Sequence, residues 1–195
     1  MAAEPARPDV EDSRIPIALS VLRPRGVPRR APWVLALCAA ALFSIGAGAI
    51  HAATIRDQFA ESPLYGLTFI AFAVGQIGWG FLALRWPSRV LAAIGLAGNA
   101  AVMAIWALTR TVGGLVGPAA GTKLPVGFAD AVATTLEGLA VVGAVVAVAA
   151  SRRRGEVSRR TAAGVWITAA AIAVPLATLA ILSQLGALSS LPPAY

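Results

Sequence analysis

The sequence has 195 residues, of which 58% are hydrophobic and only 13% are charged, and its mean hydropathy is +0.76. A soluble domain is usually about 45–50% apolar and about 25% charged, so this composition excludes an ordinary soluble globular protein. The net charge of +7 does not indicate a nucleic-acid-binding surface, because the basic residues stand at the ends of apolar runs rather than in one cluster.

Five apolar runs are long enough to cross a bilayer, whose hydrocarbon core of about 30 Å needs about 20 helical residues. They cover residues 33–52, 64–84, 89–109, 127–150 and 162–187. Backbone groups in lipid must be hydrogen-bonded within their own segment, so these runs are expected to be helices. The sequence therefore predicts an all-α, polytopic membrane protein with a bundle of about five transmembrane helices over residues 33–188.

The basic residues also predict an orientation. Thirteen of the 16 lie in the N-terminal tail, at 85–89 or at 152–160, which share one side, whereas Arg56, Arg110 and Lys123 lie on the other. Cytoplasmic loops are the ones enriched in Lys and Arg, so we expect a plasma-membrane protein with its N-terminus inside and its C-terminus outside. Residues 1–32 are predicted to be a disordered, basic cytoplasmic tail, and residues 189–195 a short external tail.

Six polar residues within or beside these runs are candidates for binding a ligand or an ion: His51, Gln76, Asn99, Arg110, Asp130 and Glu137. Such residues are costly in lipid and usually pair with one another or line a cavity. Depth in the predicted topology separates them into two layers. Gln76, Asn99 and Glu137 lie near the middle of the membrane, and His51, Arg110 and Asp130 lie near its outer face, with His51 closing the first helix.

Each candidate also has a purely structural interpretation. Gln76 and Asn99 would hydrogen-bond between helices. Arg110 and Asp130 would form an interfacial ion pair that fixes the third and fourth helices. His51 would be solvated at the end of its helix. Glu137 is the hardest to explain by packing alone, because an ionised carboxylate at that depth needs a partner. The fifth run contains no charged residue between 162 and 187 and is expected to be scaffold.

The connection between the third and fourth runs reads RTVGGLVGPAAGTKLPVG at residues 110–127. Its glycines and prolines predict a turn-rich segment rather than a helix. We expect this segment to fold over the outer mouth of the polar residues, and an ordinary connector is the alternative.

Several of these residues form a pattern that resembles a known group of proteins. The pattern comprises GAGAIH at 46–51, FAESPLYG at 59–66, WALTRT at 106–111, and Gln76, Asn99, Gly117-Pro118, Val126-Gly127, Asp130 and Glu137. Over residues 40–140 the chain is similar to small multi-pass membrane proteins of actinobacteria that have no assigned activity. The resemblance implies the same topology and the same polar residues, but no reaction. Those proteins often carry a second histidine in the first external loop, where this chain has Arg56-Asp57-Gln58.

The leading hypothesis is a non-enzymatic membrane protein whose outward-facing polar residues bind or translocate a small solute, a proton or an ion. Glu137 would be the buried titrating group, and Gln76 and Asn99 would orient the ligand. Arg110 and Asp130 would stand at the mouth. No cofactor is expected, and the chain has no motif of soluble-enzyme chemistry.

Two other hypotheses remain open at this point. One is a metal or redox membrane enzyme, or its accessory subunit, in which His51, Asp130 and Glu137 supply mixed nitrogen and oxygen ligands. The other is a structural subunit that contacts a membrane-protein partner or a second copy of itself. Glycines that would allow close helix contact are Gly75, Gly78 and Gly80, and Gly95 and Gly98.

Overall fold

A computed structural model describes residues 31–152 and 155–186 of the chain. This part contains five α-helices: α1 Pro32–Glu61, α2 Pro63–Arg85, α3 Arg89–Thr111, α4 Phe128–Ala150 and α5 Arg159–Gln184. All five are long and apolar enough to cross a membrane, and the described residues form no strand. The prediction of an all-α chain with five apolar helices is therefore confirmed. Apart from residues 31 and 32, the two predicted tails lie outside the described residues.

The first helix is longer than its apolar run, because it ends at Glu61 rather than near residue 52. The segment after His51 contains neither glycine nor proline, so nothing in it interrupts the helix. Ser62 stops it: Pro63 disfavours a helical conformation in the residue before it, and Ser62 is extended, with φ −163° and ψ 139°. The Ser62 hydroxyl then accepts a hydrogen bond from the Leu64 amide at 3.3 Å and begins α2. The prediction that His51 closes the first helix is therefore wrong.

α1 is the central helix of the bundle. It contacts each of the other four, which follow one another in an arc around it, and α2 and α5 do not touch within the described residues. In its most apolar 18-residue window, 72% of the residues are buried inside the protein, against at most 39% in any other helix. The fifth helix packs on α1 and α4 through small residues such as Ala173 and Ala177. Most of the surfaces of α2 to α5 are thus left for lipid.

Two glycines bring neighbouring helices into close contact. A side-chain carbon at Gly80 of α2 would lie 2.5 Å from Cγ1 of Ile45 in α1. A side-chain carbon at Gly95 of α3 would lie 1.9 Å from Cζ2 of Trp79 in α2. The other three glycines of the predicted contact pattern have nothing within 4 Å of such a carbon: Gly75, Gly78 and Gly98. Two of the five predicted glycines, Gly80 and Gly95, therefore allow close helix contacts within the chain.

The chain connections give the bundle two different ends. The loop end carries Ser62 and residues 112–127, and the arginine end carries residues 86–88 and 151–158. At the arginine end, Arg89 donates a hydrogen bond to the Ser151 carbonyl at 2.6 Å and joins α3 to the end of α4. The interior of this half is filled by an apolar cluster that includes Trp33, Leu37, Trp79, Ala83 and Ala144. The buried polar side chains lie farther from this end.

Candidate functional site

Four helices each turn a stripe of mainly polar and aromatic residues toward one interior space between them. Residues spaced by seven, or by three and four, share a helix face. The α1 stripe is Ser44, His51 and Gln58, and the α2 stripe is Tyr65, Thr68, Phe69, Phe72 and Gln76. The α3 stripe is Asn99, Val102, Trp106 and Arg110, and the α4 stripe is Asp130, Thr134 and Glu137. The fifth helix contributes no residue to this space among those described.

Ser44, Gln76, Asn99 and Glu137 form the buried polar cluster, in which no residue is more than 5% exposed. Gln76 Nε2 donates a hydrogen bond to Glu137 Oε1 at 2.9 Å and lies 3.4 Å from Asn99 Oδ1. Ser44 Oγ donates to Asn99 Oδ1 at 3.1 Å. Asn99 Nδ2 donates to the Gly95 carbonyl at 2.9 Å, which turns its oxygen toward the other helices. One cluster therefore joins α1, α2, α3 and α4.

Small residues on α1 set the distance at which these side chains meet. A side-chain carbon at Gly48 would lie 3.1 Å from Cβ of Gln76 and 3.2 Å from the Ala73 carbonyl. Where α1 meets α4, a side-chain carbon at Gly143 of α4 would lie 3.0 Å from Cβ of Ala40. Larger residues at 48 or 143 would push α2 or α4 outward. The close approach of backbones is thus part of how the amide of Gln76 reaches a carboxylate on α4.

His51 lies inside α1 and contacts the same carboxylate. Its Nε2 atom is 3.0 Å from Glu137 Oε1, and this nitrogen donates when it carries the ring proton. The imidazole packs between two rings of α2, with centroid distances of 5.3 Å to Phe69 and 5.5 Å to Phe72. The prediction that His51 belongs to the outer layer, with Arg110 and Asp130, is therefore wrong. The helix continues past it, and its partner is Glu137.

Arg110 and Asp130 form an ion pair nearer the loop end. Nη2 of Arg110 donates to Oδ2 of Asp130 at 2.5 Å, and Nη1 donates to Thr109 Oγ1 at 2.8 Å. The same Asp130 oxygen accepts from the Gly127 amide at 3.4 Å at the start of α4, where a negative charge is favourable. The guanidinium carbon lies 5.6 Å from the ring centroid of Trp106. The pair joins the end of α3 to the start of α4.

The segment between α3 and α4 crosses to α2 and is held there by Tyr65. The Tyr65 hydroxyl donates to the Val116 carbonyl at 2.8 Å and accepts from the Ala119 amide at 3.1 Å. Between these two contacts the backbone turns at Gly117, whose φ of +78° favours glycine. Leu124 then returns to α3, where its amide donates to the Thr109 carbonyl. The described segment contains no helix, as predicted, and it covers the loop end of the interior space.

A cavity of about 440 Å³ lies beneath this segment, between α2, α3 and α4 with part of α1. Its volume is in the range of about 300–1,000 Å³ that is typical of small-molecule sites. His51 and Glu137 line its inner part, and Tyr65, Arg110 and Asp130 line its outer part. Its lining residues do not include those of the apolar cluster at the arginine end.

The structure brings all six candidate residues into one region, but not into equivalent positions. His51, Arg110, Asp130 and Glu137 line the cavity. Gln76 and Asn99 do not line it and lie behind Glu137, so they reach the cavity only through that carboxylate. The expectation that these two amides orient a ligand stays a prediction, and the contact through which Gln76 could do so is Glu137. Their contacts hold the carboxylate in place.

Sequence reasoning missed Ser44, Gln58 and Tyr65 as parts of this region. Ser44 and Gln58 stand seven residues before and after His51, so the periodicity of α1 contained a usable signal. Tyr65 shares the helix face of Phe72 and Gln76, but nothing local indicates its hydroxyl contact with Val116, which lies 51 residues later in the chain.

The residues proposed as metal ligands are only partly together. His51 and Glu137 are in contact, whereas Asp130, the third, is paired with Arg110. Among the described residues, no group of three or more His, Cys, Asp and Glu side chains is placed to hold a metal ion.

Comparisons of the chain with protein-family models, with curated proteins and with solved structures found no match. The resemblance to the actinobacterial membrane proteins stays a prediction.

Proposed function

We propose that this chain is a non-enzymatic, multi-pass protein of the plasma membrane that binds a small solute in its cavity from the outer side. The observation that carries the proposal is the position of Glu137, which is 1% exposed and lines the cavity. An ionisable residue within a membrane-spanning segment usually marks the path or the site of a substrate. A carboxylate that served only to join helices would not need a cavity beside it.

The arrangement of charges supports an outward-facing mouth. Arg85, Arg89, Arg152, Arg159 and Arg160 lie at the arginine end, and only Arg56, Arg110 and Lys123 lie at the loop end among the described residues. Because basic residues favour the cytoplasmic side, the loop end is the outer end and the N-terminus is inside.

The apolar half of the bundle favours binding over passage. The hydrogen-bonded side chains of the cluster end at Ser44 and Asn99. Beyond them, between the cluster and the arginine end, the described interior is packed with residues such as Leu37, Trp79 and Ala144. The cluster provides no hydrogen-bonding side chain within this layer along which a polar solute or a proton could pass. The cavity is therefore a site with access from one side.

In this site Glu137 contacts the ligand, and two neighbours hold its carboxylate in position. The hydrogen bonds that Gln76 and His51 make with Glu137 both end on Oε1. This arrangement leaves Oε2 for the ligand. Asn99 and Ser44 act one step farther away, because they orient the Gln76 amide rather than the carboxylate itself.

Two adjacent threonines give a direct test of this proposal. Thr134 lines the cavity, whereas Thr135 is exposed on the outer surface of α4, where lipid would cover it. Each is replaced by cysteine in a Cys38→Ala background, and intact cells are treated with a charged, membrane-impermeant thiol reagent. We expect modification of the cysteine at 134 and little at 135. Equal modification of both, or modification of 134 only after the inner side is exposed, contradicts the proposal.

Contact with a membrane-protein partner, or with a second copy of the chain, stays a prediction. The open glycines Gly75, Gly78 and Gly98 would permit such a contact.

A further inference from the structure

We infer that the solute bound in this cavity is an organic cation whose ammonium group meets Glu137 and whose apolar body packs against the aromatic walls. The inference rests on the proposed function, because it names the ligand class of the same cavity.

The first argument is the charge of the cavity wall. The lining residues include three carboxylates, on Glu61, Asp130 and Glu137, and one guanidinium, on Arg110, so the formal charge is −2 with His51 neutral. A low-dielectric cleft lined by one sign of charge concentrates ions of the opposite sign and repels those of the same sign. A cationic ligand is therefore favoured over an anionic one of the same shape.

The second argument is the carboxylate of Glu137. Its burial removes water from an ion, which is unfavourable unless charge or hydrogen bonds replace the water. Gln76 and His51 both hydrogen-bond to Oε1 of this carboxylate, and neither bond involves Oε2. An ammonium group entering the cavity would supply both a positive charge and N–H donors to that oxygen, and charge-assisted hydrogen bonds of this kind are strong.

The third argument is the aromatic character of the wall. Phe69 and Phe72 stand beside His51, and their ring centroids are 6.0 Å apart. Tyr65 and Trp106 line the same cavity on α2 and α3. Aromatic faces attract cations as well as apolar groups, and this combination is the usual means of recognising organic ammonium ions. A hydrated inorganic ion would make no use of these rings.

Arg110 does not turn the cavity into an anion site. Its guanidinium is already paired with Asp130, and its Nε atom is covered by protein atoms. An anion beside it would have to compete with a carboxylate at 2.5 Å and would add to the negative charge of the wall.

The test uses the full-length protein in nanodiscs of uncharged lipid and three probes of similar shape. Phenethylammonium is the cation, phenethyl alcohol is the neutral probe and hydrocinnamate is the anion. Binding is measured by isothermal titration calorimetry to the wild-type protein and to Glu137→Gln. Asp57→Asn is the matched control, because it removes an exposed carboxylate at the loop end that does not line the cavity.

We expect the cation to bind about ten- to a hundredfold more tightly than the alcohol, and the anion not to bind. Glu137→Gln should abolish this preference without changing the affinity for the alcohol, and Asp57→Asn should leave both affinities as they are. If Glu137→Gln does not fold, Trp106→Leu replaces it and should weaken the binding of the cation more than that of the alcohol.

The other outcomes separate the inference from the proposed function. Equal binding of the cation and the alcohol, both weakened by Trp106→Leu, overturns the inference and supports a solute-binding cavity. Tighter binding of the anion than of the cation also overturns the inference and supports a solute-binding cavity. Absence of binding for all three probes at millimolar concentration, together with an unreactive cysteine at position 134, overturns both.

Discussion

His51 Nε2 and Glu137 Oε1 lie 3.0 Å apart, although 86 residues separate them in the chain. Their contact joins the central helix to α4 at the inner part of the cavity, where Gln76 donates to the same oxygen. The pair is thus both a joint between two helices and a part of the wall that a ligand would touch.

The two side chains are expected to be energetically coupled. His51→Gln and Glu137→Gln are made singly and together, and the free energy of unfolding in bicelles is measured for each. Because either change alters the same contact, the double variant should depart from additivity by about 0.5–3 kcal/mol. The control pairs His51→Gln with Glu156→Gln at the arginine end, where additivity within about 0.5 kcal/mol is expected. Additivity in both pairs would show that the contact contributes nothing.

The glycines of α3 give a sharp comparison of close contact and open surface. Gly95→Ala places a carbon 1.9 Å from the Trp79 ring and forces that ring or the helix to move, so we expect a loss of stability of about 1–3 kcal/mol. Gly98→Ala, on the same helix, meets nothing within 4 Å and should leave stability unchanged or raise it by up to about 1 kcal/mol. Thermal unfolding in detergent measures both. Similar midpoints for the two variants contradict the packing of α2 against α3.

The Tyr65 hydroxyl should hold the segment over the cavity. Tyr65→Phe keeps the ring but removes the hydroxyl, which donates to the Val116 carbonyl and accepts from the Ala119 amide. Amide hydrogen exchange at residues 113–121 should become about tenfold faster, because each lost hydrogen bond is worth about 0.5–1.5 kcal/mol. Thr111→Val is the control, since its hydroxyl bonds only to the Ala107 carbonyl of its own helix. An unchanged exchange rate in Tyr65→Phe would mean that the segment is held by other contacts.

The ion pair at the mouth should control which reagents enter the cavity. The cysteine at position 134 is modified with a cationic and with an anionic methanethiosulfonate, and the measured quantity is the ratio of the cationic to the anionic rate. Arg110→Gln leaves Asp130 without its cation and should raise the ratio about two- to fivefold in favour of the cationic reagent. Asp130→Asn should lower it by a similar factor. Arg85→Gln, at the other end of the bundle, should leave it unchanged, and a ratio that does not respond to Arg110→Gln contradicts the position of the pair.

The five helices could be predicted from the sequence because apolar length alone determines which segments can cross a membrane. The end of α1 could not, because a hydropathy run ends where polar residues begin, whereas the helix ends at Ser62, before Pro63. The hydropathy pattern therefore groups His51 with Arg110 and Asp130, whereas its contact is with Glu137. The signal for the true end was present in the sequence, in the lack of any glycine or proline between His51 and Ser62.

The partners within the site were harder to predict than the residues themselves. Lipid and the bundle interior are both apolar, so the sequence does not say how each helix is rotated about its axis. The sequence identifies Gln76 and Asn99 as polar residues within apolar runs, but only the structure shows that Gln76 lies between Asn99 and Glu137, outside the cavity lining. The position of Tyr65 beneath the glycine-rich segment depends on a long-range contact that local patterns do not record.

The long separation in sequence between His51 and its partner Glu137 affects the order in which the protein is assembled. α1 is synthesised before the other four described helices, and its acceptor at Glu137 follows 86 residues after His51. At about 5–20 residues per second, the ribosome needs roughly 4–17 s to supply it. During that interval the imidazole has no partner from α4, and the Ser44 hydroxyl has none from α3 until Asn99 is made, 55 residues after Ser44. Insertion of the first helix therefore precedes the burial of its polar face, and the later helices complete the bundle by closing around it.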